Sequence, residues 1–265
     1  MIGVNTYYGD ESEKLIKNNK IRLLQIFVDS DDNDKNIIDN YDADYIVHAS
    51  YSINLSRNWT EYSVWINTLI SEINIAQVIK SKYIVVHLGK KLDLDNNVAY
   101  NNMYTSLLYV HNKTKKCKDV KICIETSSGQ GTEMCYELKE LAYFYGKIKN
   151  HPDKTFSNRV KICIDTCHIY ASGIDINSKD KFKAFISKFD DMIGLNNLGL
   201  VHLNNSKEEC GSKKDRHANF HNGKINMDVM MHIGKHFYDM NVPIIIETPH
   251  NDIINDYLKI EKYTK

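Results

Sequence analysis

Proline is nearly absent, with three residues in 265, and glycine reaches only twelve. No stretch reads as a Pro/Gly-rich linker, so the expected organisation is one domain over residues 1–265. None of the six cysteines (117, 123, 135, 163, 167 and 210) stands in a CxxC pair, and two lie inside apolar runs. They read as small core residues and reduced thiols of an intracellular compartment. No apolar run is long enough to span a bilayer, so no membrane partner is expected. The first residues, MIGVNTYYG, look like a strand and lack the layout of a signal or transit peptide, which points to a cytoplasmic or nuclear location. Net charge is zero, with 34 basic and 34 acidic residues. That argues against wholesale coating of nucleic acid, although a balanced total is compatible with a basic rim around an acidic centre. Alanine and tryptophan are scarce while Asn, Lys, Ile, Asp and Tyr abound, the bias of an AT-rich coding genome.

What the chain has is repetition. IGVNTYY, LLQIFVD (23–29), DYIVHA (44–49), YIVVHLG (83–89), VKICIET (120–126), VKICIDT (160–166), LGLVHLNN (198–205) and PIIIETP (243–249) are short β-branched runs. Their continuity suits strands buried on both faces of a parallel sheet. Helical patterns lie between them: Ile66, Leu69, Ile70, Ile73 and Ala76 share a face in 61–80, as do Phe182, Phe185, Ile186, Phe189 and Ile193 in 181–194. The first two crossovers, ESEKLIKNN and DKNIIDNYDA, allow only short helices. Eight strand–helix units predict an α/β fold, a (β/α)8 TIM barrel with its site at the C-terminal strand ends. An open doubly wound sheet is the alternative.

The residues closing each run carry the chemistry. The third run ends in His48, the fourth in His87, the fifth in Glu125, the sixth in Asp165 with His168 beyond, the seventh in His202 and the eighth in Glu247. The loop after the seventh adds Asp215 and His217 in KKDRH. Any one of these reads as an ordinary hydrogen-bonded loop residue. Together they would be too costly to place on one rim without a cation to share. His with Asp and Glu and no Cys suits zinc or manganese, and a set this large suits more than one ion. The H-x3-H spacings of His217/His221 and His232/His236 arise often by chance, and Cys167 reads as an inert thiol. SSGQG (127–131) opens a loop ahead of a helix and offers backbone N–H groups to a phosphate.

HASYSINL (48–55), HLG (87–89), IETSSGQG (124–131), CIDTCH (163–168), VHLNNSK (201–207), KKDRH (213–217) and IIIETP (244–249) resemble, in this order and at these intervals, the endonuclease IV family of trinuclear-zinc apurinic/apyrimidinic endonucleases. The resemblance runs along nearly the whole chain, in a compact version such as a giant DNA virus carries, for which a virion or viral factory is the corresponding location. It implies three Zn2+ ions, with Mn2+ as an alternative at one position. The first would be held by His48, His87 and Glu125, the second by Asp165, His202 and Glu247 with Glu125 bridging, and the third by His168, Asp215 and His217. Glu125 and Glu247 would be the catalytic carboxylates, the latter accepting a proton from the attacking water. The implied substrate is double-stranded DNA with abasic sites or blocked 3′ ends. It would be cut 5′ to the lesion by a monomer, leaving a 3′-hydroxyl and a 5′-deoxyribose phosphate in base excision repair. Tyr51 matches the family aromatic that fills the space of the extruded nucleotide. Lys90, Lys207 and Arg216, with Lys91, Lys213 and Lys214, are the phosphate candidates.

Two departures stand out. The loop after the second run reads VDSDDND, short and acidic, without the arginine the family inserts there, and Leu88 replaces a common proline. The rival reading is a divalent-metal sugar isomerase or epimerase of the same barrel superfamily, for which Glu125, Asp165, His202 and Glu247 suffice. His48, His87, His168, Asp215 and His217 would then have no role.

Overall fold

The computed structural model describes residues 1–7, 9–28 and 43–265. Eight parallel strands make the wall: β1 (Ile2–Thr6), β2 (Leu23–Phe27), β3 (Asp44–His48), β4 (Tyr83–Val86), β5 (Lys121–Glu125), β6 (Val160–Asp165), β7 (Leu198–His202) and β10 (Ile244–Ile246). Their order, β1-β10-β7-β6-β5-β4-β3-β2, closes on itself, with Ile2 beside Ile244 and Val4 beside Leu24 sealing the ends of the chain into one barrel. The expected (β/α)8 barrel is thus the fold. A two-stranded antiparallel hairpin, β8 (Asn205–Ser206) with β9 (His217–Ala218), rises from the loop after β7.

Helices α1 (Asp10–Asn19), α2 (Val64–Val78), α3 (Asn96–Lys113), α4 (Leu138–Lys149), α5 (Lys154–Arg159), α6 (Thr166–Ser172), α7 (Lys179–Met192), α8 (Met227–Asp239) and α9 (Ile253–Thr264) account for the α-helical residues described, and Leu195–Asn197 form a 3-10 turn. The first crossover is short, as its sequence implies; the second, DKNIIDNYDA, lies outside the described residues apart from Ala43. Helix α2 starts at Val64, inside the expected 61–80, because Ser63 stops the chain in an extended conformation and its carbonyl receives the N–H groups of Ile66 and Asn67. Helix α7 starts two residues before the expected 181, where the Ser178 hydroxyl accepts from Lys181 N at 3.2 Å. Of the predicted faces, Ile66, Leu69, Ile73 and Ala76 and Phe182, Phe185, Ile186, Phe189 and Ile193 are buried in the core, while Ile70 is only partly buried against it. No helix among the described residues is long and apolar enough to cross a membrane.

The barrel interior explains why the strands end as they do. Leu23, Ile46, Val85, Cys123, Cys163, Leu200 and Ile245 form one buried apolar cluster. Two residues further along the same strands, hence on the same face, stand Gln25, His48, His87, Glu125, Asp165, His202 and Glu247. Each of these seven strands therefore plugs the barrel with one side chain and offers a polar one above it. The cysteines of VKICIET and VKICIDT belong to the plug, where burial pushes the Cys163 thiol up to about 12.

Strand β1 has no room to do the same at Gly3, since a methyl group there would overlap the carbonyl oxygen of Leu23 on β2. The Gly3→Ala variant is expected to lose about 3 kcal/mol of stability, the upper end of the usual overpacking cost, because a backbone atom rather than a pliable side chain must yield. A denaturant midpoint within error of the parent would refute it.

Candidate metal centre

The nine expected residues come together at the C-terminal mouth of the barrel. Three groups of ligand atoms each lie within 4.8 Å of one another: His48, His87 and Glu125; Glu125, Asp165, His202 and Glu247; and His168, Asp215 and His217. Glu125 joins the first two groups, and its oxygens divide the surroundings between them. Its Oε2 lies 3.2 Å from His87 Nε2 and 3.5 Å from His48 Nε2, while its Oε1 lies 2.9 Å from His202 Nδ1. The carboxylate is 1% exposed. Burial opposes its charge, yet His87 and His202 hold its pKa well below the usual carboxylate range.

Local structure aims the other candidate ligands. In DTCH, Asp165 is the N-cap of α6: its Oδ1 accepts from His168 N at 2.8 Å, which spends one oxygen on the helix and turns the other toward the site. The cap also sets His168 on the first turn, where its Nδ1–H donates to Thr126 O at 2.7 Å and its Nε2 faces Asp215 Oδ2 at 3.2 Å. Thr126 Oγ1 in turn receives Asp165 N at 2.9 Å, so the threonine that ends VKICIET braces the acid of VKICIDT. Hairpin β8/β9 pairs Ser206 with His217, and Lys207 N donates to Arg216 O at 2.8 Å. This folds KKDRH back over the mouth and brings His217 Nε2 to 3.3 Å from Asp215 Oδ1 and 3.6 Å from Asp165 Oδ2.

The arrangement fits cations. Glu125 Oε2, His168 Nε2 and His217 Nε2 are buried atoms without a hydrogen-bond partner, the first belonging to the group with His48 and His87 and the other two to the group with Asp215. Leaving such atoms unsatisfied costs on the order of 1–3 kcal/mol each, and a shared cation removes the cost. Burial works against charge on His217, but the Asp165, Asp215 and Glu247 carboxylates outweigh it and lift its pKa to about 9. Glu247 is also buried, and His202 draws it down to about 2. Cys167 Sγ lies 3.7 Å from Arg216 O, and burial lifts that thiol to about 12, so it stays neutral.

Residues that sequence reasoning passed over support these candidate ligands. Asn204 Nδ2 donates to Asp165 Oδ2 (2.7 Å) and Glu247 Oε2 (3.0 Å), and its Oδ1 accepts from Glu247 N (2.8 Å). Gln25, wholly buried, touches both His202 and Glu247. A glutamine inside the apolar run LLQIF was the available signal.

The remaining candidates divide. Tyr51 is 72% exposed, and its ring packs 5.2 Å from those of His48 and Phe27 and 5.7 Å from that of His87, over the first group of ligands. It helps line a cleft of about 270 Å³ with His87, Lys90, Gln130 and Asp215. Arg216, exposed, donates to Gln130 Oε1 at 3.4 Å on the same rim. Lys207 is exposed on the hairpin. Several lysines already have partners: Lys90 with Glu133 (3.8 Å), Lys91 with Leu94 O (3.1 Å), Lys214 with Glu208 (3.9 Å) and Lys213 over the Tyr136 ring (4.3 Å). His221 pairs with Asp252 at 3.3 Å, and His232 and His236 sit edge-on to Phe182, away from the ligands. In VDSDDND only Val28 is described; the rest of that loop lies outside the described residues.

A family model described as a xylose isomerase-like TIM barrel matches residues 15–262. The chain is 40% identical over 208 residues to the protein named "Probable endonuclease 4" of Malacoplasma penetrans, a match that spans 78% of this chain and 68% of that one. Among solved structures it resembles endonuclease IV from Thermus thermophilus, with a TM-score of 0.75 at 21% identity over 99% of this chain and 98% of that one. It also resembles a D-tagatose 3-epimerase-like protein, with a TM-score of 0.74 at 17% identity over 99% and 96%. The two structural likenesses are nearly equal and speak to the fold alone.

Proposed function

The chain belongs to the endonuclease IV family, within the xylose isomerase-like TIM barrels, and from that premise we propose a zinc-dependent DNA repair hydrolase. It cuts the phosphodiester 5′ to an abasic site, leaving a 3′-hydroxyl and a 5′-deoxyribose phosphate, and clears blocked 3′ ends. The observation that carries this reading is the surplus of ligands. An epimerase-type site needs only Glu125, Asp165, His202 and Glu247, whereas two further groups, built on His48 and His87 and on His168, Asp215 and His217, adjoin that one.

Three zinc ions would be held by those groups, with manganese as an alternative at one position and Glu125 shared between two ions. Bound zinc supplies Lewis acidity, which brings the pKa of water from about 15.7 to about 7 and neutralises charge on a leaving alkoxide. The protein's own groups do the rest. Four carboxylates against three divalent cations leave a surplus of two positive charges, matching hydroxide plus a phosphodiester monoanion. Glu247, a carboxylate of the same group as Glu125, Asp165 and His202, accepts the proton of the attacking water. Tyr51, exposed beside His48 and His87, stacks in the gap left by the extruded nucleotide, offsetting the cost of unstacking. Arg216 and Lys207 take flanking phosphates, and the protein acts as a monomer.

The test is a duplex carrying one abasic analogue, incubated with zinc-replete protein. Cutting on the 5′ side, with a 3′ end that a polymerase extends, is expected. An intact duplex together with epimerisation of a ketose would replace this reading with the isomerase one.

A further inference from the structure

One site histidine is turned around. His48, His168 and His217 each donate Nδ1–H to a backbone carbonyl, of Ala49 (2.8 Å), Thr126 (2.7 Å) and Glu247 (3.2 Å), and so present Nε2 to the ligand space. His202 does the reverse. Its Nδ1 faces Glu125 Oε1 (2.9 Å), Glu247 Oε2 (3.1 Å) and Asp165 Oδ2 (3.8 Å), while its Nε2 meets the side chain of Gln25 at 2.9 Å.

The orientation of that amide is forced. Gln25 Nε2 lies 2.5 Å from Glu247 Oε1 and 3.1 Å from Asn5 Oδ1. An ionised carboxylate only accepts, so the NH2 end must point that way, and the flipped amide would set oxygen against oxygen. Gln25 Oε1 therefore faces His202 Nε2 and can only accept, which requires the proton on Nε2. The consequence is chemical. Three carboxylates around Nδ1 would otherwise draw the single proton of a neutral imidazole to that nitrogen, and the resulting tautomer has no lone pair to give a cation.

We infer that Gln25 is a positioning residue: it fixes the tautomer of His202 and clamps Glu247 in the same amide, presenting two ligands of one cation together. No backbone carbonyl substitutes for it, because a carbonyl accepts from the imidazole but cannot donate to the carboxylate. Glu247 is thereby held between two amides, Gln25 on Oε1 and Asn204 on Oε2. Strand β2 ends in no metal-type ligand and contributes this brace instead. The inference rests on the reading above that these residues hold divalent cations.

Zn2+ affinity is measured on the full chain by equilibrium competition with a chelator. Alongside it, 15N-histidine NMR of the zinc-loaded protein follows the slowly exchanging Nε2–H of His202. Gln25→Leu is expected to weaken one ion by about 10–100-fold while leaving the others in place, and to lose the protected Nε2–H signal. Gln25→Glu keeps the acceptor for Nε2–H but sets an oxygen against Glu247 Oε1, so it is expected to retain the signal while still weakening the same ion, which separates the tautomer from the clamp. If Gln25→Leu fails to fold, as read by its circular dichroism, Gln25→Met, closest in shape, takes its place. Parental zinc affinity with a retained Nε2–H signal in the apolar variant would overturn the role of Gln25 alone. A parent protein that takes up no zinc would instead overturn the metal reading itself.

Discussion

The Glu125→Gln variant is expected to cut an abasic duplex at least about 10²-fold more slowly than the parent in single-turnover assays. The carboxylate is 1% exposed, with four imidazoles on its two oxygens: His202 and His168 at 2.9 and 3.4 Å on Oε1, His87 and His48 at 3.2 and 3.5 Å on Oε2. An amide of the same shape offers one accepting atom where the site uses two, and turns N–H groups toward ring nitrogens that must keep their lone pairs. Removing one partner from a buried charged set costs about 3–5 kcal/mol. That cost falls on stability and metal affinity; in rate, misplacing the reacting groups by about 1 Å already costs roughly 10²-fold. Metal content is the companion measurement, since Glu125 is the residue shared by two groups. A variant that cleaves within a few fold of the parent with full metal content would remove Glu125 from the centre of the site.

Stripping the protein of metal is expected to bring cleavage to background, and Zn2+ is expected to restore it at about three ions per chain. Uptake should release protons. His217, lifted to about 9 by the carboxylates of Asp165, Asp215 and Glu247 against the effect of burial, is charged at neutral pH in the metal-free protein and must lose its proton to bind a cation. Affinity therefore falls as the pH is lowered. The same group stabilises the metal-free fold fully below its ordinary value of 6.5, and that contribution disappears as the pH rises through about 9. Calorimetry in two buffers of different ionisation enthalpy reads the proton release directly. One ion per chain, or cleavage that survives complete metal removal, would favour the isomerase reading or exclude metal-assisted hydrolysis respectively.

The barrel and the ring of ligand-type residues at its mouth were both legible in the sequence, for the same reason. A strand buried on both faces must be apolar along its length, and the first position where it leaves the barrel's apolar plug admits a polar residue. In VKICIET the plug is Cys123 and the polar residue is Glu125; in VKICIDT they are Cys163 and Asp165. Strand ends thus advertise a site even without knowledge of how the strands are arranged. Gln25 obeys the same spacing after Leu23, yet a lone glutamine carries no chemistry of its own, and its role appears only beside His202 and Glu247.

Sequence by itself determined the eight strands, the amphipathic faces of α2 and α7 and the identity of the ligand-type residues, because these depend on burial and on spacing along the chain. Tertiary structure decided which acids meet which imidazoles, which nitrogen each imidazole presents and which amides hold them. Hairpin β8/β9 brings His217 to the mouth, and closure of β1 onto β10 sets Gln25 against a glutamate 222 positions away. Those relations are distances of a few ångströms between residues remote in the chain, and local propensity carries no information about them.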